Sequence, residues 1–224
     1  MKTRESGSEL MDAPDLDPAQ HEQALKGLER INAFSRVVEA AWAPIRDLAR
    51  ENLSRPLRIL DIATGAGDFP RRLRRKSRRE KIPLIIEGCD KSENAVKHAQ
   101  DPHFFQLNVL EQNLPASYDV LTCNLFFHHL SPEEGLGLMK NFKQSGTRLV
   151  ILNDLERSLP GLWLAYLGSR ILTGSPIVHF DAVQSVRNAY RIEEIRDIAE
   201  KAGLHNASIR RVWPCRYLFV WRRD

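Results

Sequence analysis

LRILDIATGAGD, residues 57–68, is the stretch whose pattern sets the reading of the whole chain. Its first half is a short apolar run, the signature of a strand buried on both faces. Its second half is a turn built around Gly65 and Gly67, after which a helical pattern begins. Glycines in such a turn let the backbone bend tightly and lie close to a bound molecule. Open parallel sheets bind ligands at the carboxyl ends of their strands, and this turn stands at one of those ends.

On either side of it, strand and helix signals alternate. LIIEGCD (84–90), FFQLNV (104–109), YDVLTCN (118–124) and RLVILND (148–154) read as further strands. Helical patterns separate them, including Asn94–Gln100 and a helix opening at Ser131-Pro132-Glu133-Glu134, with Ser131 as N-cap. Apolar strands alternating with helices predict an α/β fold, a doubly wound and mostly parallel sheet covered on both faces.

Residues 1–20 are polar and carry Pro14 and Pro18, which predicts a flexible N-terminus. Residues 21–54 read as cap helices: Leu25, Leu28, Ile31 and Phe34, then Val38, Ala41, Trp42, Ile45 and Leu48, recur at helical spacing. Pro44 predicts a kink or the start of a second helix there. The main domain then spans 55–224. Within it the alternation breaks over 157–189, where LPGLWLAYLGSRIL (159–172) reads as an apolar helix and GSPIVHFDAVQSVRNAY (174–190) as irregular. A long interruption of this kind predicts a lid insertion. IEEIRDIAEKAGL (192–204) returns to an amphipathic helix stopped by Gly203, and SIRRV (208–212) and RYLFVW (216–221) close the chain as strands.

Composition narrows the function classes. An apolar share of 42% and a charged share of 28% are those of an ordinary globular protein. No run approaches the ~18 apolar residues of a membrane span. The polar N-terminus has no apolar core of a secretory signal. Cys89, Cys123 and Cys215 are far apart and form no CxxC pair, which suits a reducing, cytoplasmic setting. The net charge of +4 is concentrated in Arg71, Arg72, Arg74, Arg75, Lys76, Arg78, Arg79 and Lys81. No aromatic residues interleave them to stack bases, so the run reads as a solvated helix face anchored by Leu73, not as a nucleic-acid patch.

The chemistry sits at the strand ends. Asp90 ends the second strand, placed to accept hydrogen bonds from both hydroxyls of a ribose. A dinucleotide fingerprint needs a third glycine, but Ala63, Asp68 and Pro70 occupy the places where one would stand. Residues 61–67 instead match (D/E)-x-(G/A)-x-G-x-G throughout, and here the chain resembles the class I S-adenosylmethionine (SAM)-dependent methyltransferases. Asp90-Lys91-Ser92 resembles the family's ribose-binding segment, and Asn108-Val109 followed by Leu114-Pro115 its adenine-contacting segment, with Asn108 where Asp is more common. Tyr118-Asp119 through Asn124-Leu125-Phe126-Phe127-His128-His129-Leu130 resembles the fourth motif of its small-molecule members. Tyr190–Leu204 resembles the late helix, with Arg191 in place of the usual Ser/Thr cap.

The resemblance covers residues 57–221 and is closest in layout to ubiquinone/menaquinone-pathway and polyketide-tailoring enzymes. It implies a sheet order of 3-2-1-4-5-7-6 and SAM as cofactor, with S-adenosylhomocysteine as product. It also implies a cofactor site of Asp61, Ala63, Thr64, Gly65, Gly67, Asp90, Lys91, Asn108, Val109 and Asn124. His128 and His129 follow the fourth strand and His179 lies in the lid, which makes these three the candidate bases for a phenol or enol acceptor. Asn124-Leu125-Phe126-Phe127 lacks the two prolines of enzymes that methylate nucleobase amines. Asp154 and Glu156 have no recognisable partner cluster, so no metal is expected. The expected activity is methyl transfer to an oxygen or carbon of a small, largely apolar or aromatic acceptor such as a phenol, quinol or polyketide. The competing readings are a non-catalytic SAM-binding or interaction module, a nucleic-acid methyltransferase and an oxidoreductase. The apolar helix at 159–172 suits either an acceptor pocket or a homodimer face.

Overall fold

The computed structural model describes the chain except residues 2, 13–15, 18–19, 21–22, 25–26, 28–29, 32–35, 52–54 and 224. Leu25, Leu28 and Phe34, part of the expected first cap helix, fall outside the described residues. The strands are β1 (Leu57–Ile62), β2 (Leu84–Asp90), β3 (Phe104–Gln106), β4 (Val120–Asn124), β5 (Leu149–Leu155), β6 (Ser208–Val212) and β7 (Arg216–Arg222). They form one seven-stranded sheet of order β3-β2-β1-β4-β5-β7-β6. β1 to β5 pair in parallel, while β7 runs antiparallel to both β5 and β6. The helices are α1 (Val37–Glu51), α2 (Asp68–Glu80), α3 (Glu93–Ala99), α4 (Pro132–Gln144), α5 (Leu159–Leu172), α6 (Pro176–Asn188) and α7 (Ile192–Ala202).

Each face of the sheet has its own core. On one, Val38, Ala41, Trp42, Ile45 and Leu48 of α1 pack with Ile59, Val120, Ile151 and Leu218. On the other, α4 and α7 bury Met139, Phe142, Ile195 and Ile198 against Ile62, Cys123, Leu152 and Phe219. α1 runs unbroken through Pro44, so the expected second helix start is absent there. A mid-helix proline costs about 3 kcal/mol. Each large apolar side chain that α1 buries returns roughly 1.5–3 kcal/mol, so packing outweighs the lost hydrogen bond. α2 turns Phe69, Leu73 and Ser77 to the sheet and its basic residues outward, where Arg71, Arg74 and Lys76 pair with Asp68, Asp101 and Glu80.

Three local expectations differ from the structure. β3 stops at Gln106, because the Asn108 amide N–H is taken by the Gln112 side chain and Asn108 Oδ1 accepts from Leu110 N, folding the chain away from the sheet. The stretch expected to be irregular contains α6. Its inner face is mostly polar, burying Asp181, Gln184, Ser185 and Asn188 beside only Val178 and Val186, so it shows no apolar helical period. Those polar residues grip the N-terminal segment, which was expected to be flexible. Asp181 accepts from Leu10 N and Met11 N, and Asn188 bonds both N–H and C=O of Gly7. Arg4 reaches the carbonyls of Asn188, His128 and Leu130, and its guanidinium lies 4.1 Å from the Tyr190 ring centre. Residues 4–11 thereby form a strap across the carboxyl ends of β4 and β5.

Candidate active site

The turn after β1 alternates into the left-handed region at Ala63 (φ 53°), Gly65 (φ 53°) and Gly67 (φ 81°). Two glycines serve different ends. A Cβ on Gly67 would stand 2.3 Å from Phe104 Cε2, so this glycine lets α2 approach the sheet. A Cβ on Gly65 would meet nothing within 4 Å, so this glycine keeps a space open. Asp90 fastens the open turn: its Oδ2 accepts from Gly65 N at 2.9 Å and its Oδ1 from Ser92 N at 2.9 Å. An ionised carboxylate has about four acceptor positions, so each oxygen keeps one for a ligand hydroxyl.

Asp61 lies under the turn and not on its surface. It is 2% exposed and accepts from Thr64 Oγ1 at 2.9 Å, Thr122 Oγ1 at 2.7 Å and Asn124 Nδ2 at 3.0 Å. Burial pushes its carboxyl up to about 7, against the three hydrogen bonds that favour the charged form. Thr64 N bonds Cys89 O, tying the turn to β2. Lys91 is exposed, and its carbonyl accepts from Gln106 Nε2. Val109 is buried beside Asn108. Asn124 ends β4 with its Nδ2 on Asp61 and its buried Oδ1 without a partner. Asp61, Ala63, Thr64, Gly65, Gly67, Asp90 and Asn124 thus form or underpin one turn and the strand ends beside it, while Lys91, Asn108 and Val109 follow β2 and β3 without a hydrogen bond to the turn among the described residues.

A second group of polar residues gathers where β4 and β5 end. The 3-10 turn Phe127–His129 follows β4 and carries two of the three candidate histidines. His128 is buried; its Nδ1 lies 2.7 Å from Asp154 Oδ1 and its amide N–H donates to Asp154 Oδ2 at 3.1 Å. On the other side of the ring, Nε2 is 3.6 Å from Glu9 Oε1. The His129 side chain is 29% exposed, with its Nε2 4.0 Å from Glu9 Oε2. Burial alone would push the His128 pKa down, yet the two carboxylates raise it to about 10. Burial pushes the Asp154 and Glu9 carboxyls up, but His128 holds both below their ordinary values. At neutral pH the centre is therefore an imidazolium between two carboxylates. Glu9, His128 and His129 also place one ligand atom each within 4.8 Å, the one such group found among the described residues.

His179 does not join them. It lies in α6 with its Nε2 2.8 Å from the Thr173 carbonyl. Asp154, considered from the sequence for a metal site, bonds His128 instead. No sequence motif marks Glu9 or Arg4. The signal that finds them is the polar face of α6, because a buried helix face of Asp181, Gln184, Ser185 and Asn188 needs polar partners from elsewhere in the chain.

Comparison with known proteins shows the family and the fold. A family profile described as a methyltransferase domain matches residues 34–209. No curated protein sequence matches the chain. Among solved structures, the plantazolicin methyltransferase BpumL in complex with S-adenosylhomocysteine superposes with a TM-score of 0.70 at 14% identity, over 93% of this chain and 91% of that one. The methyltransferase SibL in its apo form gives 0.67 at 16% identity, over 93% of this chain and 60% of that one. The magnesium protoporphyrin IX methyltransferase ChlM from Synechocystis PCC 6803 gives 0.56 at 17% identity, over 96% and 88%. With a matched profile spanning most of its length and this sheet order, the chain belongs to the methyltransferase-domain family of class I SAM-dependent enzymes.

Proposed function

We propose that this protein transfers a methyl group from SAM to an oxygen, or to an activated carbon, of a small apolar or aromatic acceptor. The observation that carries this reading is Gly65: left-handed, fastened by Asp90, and open where a side chain would stand. The bound cofactor supplies a methyl group already activated by its sulfonium charge. Asp90 accepts from the two ribose hydroxyls. The backbone of the Gly65 turn lies along the cofactor. Asn108 and Val109 border the adenine, and Asn124 offers its unpartnered Oδ1 to a donor at the other end.

The chain's remaining task is to hold the acceptor in line and receive a proton. His128 already carries one, and with its two ring nitrogens facing Asp154 and Glu9 it anchors Glu9. His129, exposed beside the same carboxylate, takes the proton, with Glu9 stabilising the imidazolium that forms. His179, turned to the Thr173 carbonyl, steadies the first turn of α6. The strap and the insertion α5–α6 exclude water.

The acceptor class rests on the surface of α5, which leaves Trp163, Leu167 and Ile171 more than half exposed. Plantazolicin and magnesium protoporphyrin IX, the compounds named for two similar folds, support a small-molecule acceptor. The pairing of Arg71 with Asp68 and of Arg74 with Asp101 supports a solvated face over a nucleic-acid surface. No described helix is long and apolar enough to cross a membrane. The free cysteines suit a reducing, cytoplasmic setting, and α5 would serve equally as a homodimer face. Incubation with methyl-labelled SAM and a panel of phenols, quinols and hydroxypyrones tests the reading. Label in an organic-soluble product supports it, whereas tight SAM binding with no transfer to any member of the panel would favour a non-catalytic module.

A further inference from the structure

On the face of the sheet that packs against α1, polar side chains form a row along the carboxyl edge. Strand register sets it out: Asp61 of β1 faces Thr122 of β4, Asn124 of β4 pairs with Asn153 of β5, and Leu155 of β5 pairs with Arg216 of β7. Asn153 pairs with Leu218, two residues from Arg216 on the same face of β7, so Asn153 and Arg216 are diagonal neighbours. Below them the same face carries the apolar Ile59, Val120, Ile151 and Leu218.

The two ends of this row differ. Asp61 at one end is satisfied by three donors from within the chain. At the other end, Asn153 is 1% exposed and neither its Nδ2 nor its Oδ1 has a partner. Arg216 is 4% exposed, and its Nε and Nη1 have none. A buried guanidinium without an anion is among the costliest arrangements a fold can keep, and buried polar groups are otherwise nearly always bonded. Asp154 acts on Arg216 through its charge, but that carboxylate lies on the opposite face of β5 and its oxygens are given to His128 and Leu155 N.

We propose that Arg216 and Asn153 form a subsite for a carboxylate group at the inner end of the acceptor site. The inference rests on the methyl-transfer reading above and extends it to the substrate class, a hydroxy acid or similarly acidic aromatic. The guanidinium presents a fork of N–H donors matched to a carboxylate, and the Asn153 amide adds a donor beside it. SAM also carries a carboxylate, so two sources share this chemistry. Position favours the acceptor: within the sheet β7 lies three strand spacings, roughly 14 Å, from β1, with β4 and β5 between them, and Arg216 stands on the α1 face, across β5 from the His128–Asp154 pair.

The test titrates the full chain with S-adenosylhomocysteine, and then, at saturating S-adenosylhomocysteine, with benzoate, salicylate, decanoate and the uncharged salicylamide. Wild type should bind at least one of the three acids more tightly than the amide. Arg216→Met should weaken that acid about 10–100-fold, leaving salicylamide and S-adenosylhomocysteine within about twofold. Arg216→Lys should recover part of the loss, and Asn153→Leu, with Arg216 kept, should give a smaller one, so the result does not hang on one variant's folding. Loss of S-adenosylhomocysteine affinity in Arg216→Met, with 5′-methylthioadenosine unaffected, would move the carboxylate to the cofactor and overturn the acceptor assignment. No acid binding to wild type, or equal acid binding in a folded Arg216→Met protein, would overturn the subsite itself. If wild type fails to bind S-adenosylhomocysteine at all, the methyl-transfer reading fails instead.

Discussion

Replacing Asp90 with alanine removes two kinds of contact at once. The carboxylate fastens Gly65 N and Ser92 N, each at 2.9 Å, and leaves one acceptor position on each oxygen, which in the proposed binding mode the ribose takes. Two charge-assisted hydrogen bonds to the ribose are worth about 1.5–3 kcal/mol each. Their loss alone predicts about 3–6 kcal/mol, a weakening of roughly 10²–10⁴ in affinity for SAM or S-adenosylhomocysteine. Freeing the Gly65 turn adds an ordering cost on binding, so the lower figure is a floor. Calorimetric titration of each protein with S-adenosylhomocysteine measures the effect, and far-ultraviolet circular dichroism checks the fold. Ser92→Ala is the control. It removes the side chain that caps α3 at Ala95 N, which costs about 1 kcal/mol of stability, and it leaves the Asp90 acceptors in place. A folded Asp90→Ala protein whose affinity stays within threefold of wild type would refute the assignment.

The two glycines of the turn should separate by phenotype. Gly67→Ala combines a left-handed backbone with a Cβ 2.3 Å from Phe104, predicting about 2–5 kcal/mol of lost stability in thermal unfolding. Gly65→Ala, at φ 53° and facing open space, should lose only about 1–2 kcal/mol while weakening cofactor binding; equal destabilisation would contradict the distinction. The strap should respond to pH through His128, whose raised pKa of about 10 implies stabilisation that is full below the ordinary 6.5 and is lost as pH rises toward 10. Glu9 and Asp154, held below their ordinary values, contribute above about pH 4.5 and lose that contribution as the solution is acidified further. Wild type should therefore lose melting temperature between pH 7 and 10 more steeply than His128→Gln, and parallel profiles would speak against the imidazolium. His129→Ala should lower turnover on a neutral phenol by about 10²–10⁴ with cofactor affinity nearly unchanged, and wild-type turnover would remove His129 as the base.

The sheet was legible because its strands are continuous apolar runs and its ligand turn keeps two glycines beside an acidic strand end. LRILDI and VLTCN need only burial on both faces to declare themselves. The helix opening at Ser131 was legible from its cap, and Glu134 completes the box by accepting from Ser131 N at 2.8 Å. What escaped the sequence were contacts between distant polar residues. α6 has no apolar period because its buried face carries Asp181, Gln184, Ser185 and Asn188; Asp181 and Asn188 bond backbone groups of residues 7, 10 and 11, and Ser185 donates to Glu9. A polar N-terminal stretch has the composition of a loose tail, and only the helix it meets gives its amides somewhere to go. Glu9 was hidden for the same reason, since its place beside His128 exists only once the strap is docked. Asp61 matched its motif, yet its role as a buried support for Thr64, Thr122 and Asn124 depends on strand register, which a motif does not record.

The open space at Gly65 is the proposed cofactor site for SAM. That assignment is tested most directly by titrating the purified chain with S-adenosylhomocysteine and, separately, with NADH, following tryptophan fluorescence and calorimetric heat. Saturable one-site binding of S-adenosylhomocysteine is expected, with no response to NADH and with loss of the S-adenosylhomocysteine signal in a folded Gly65→Val protein, whose side chain would fill the open space beside the turn. Saturable NADH binding with no response to S-adenosylhomocysteine, or full S-adenosylhomocysteine affinity in Gly65→Val, would contradict it.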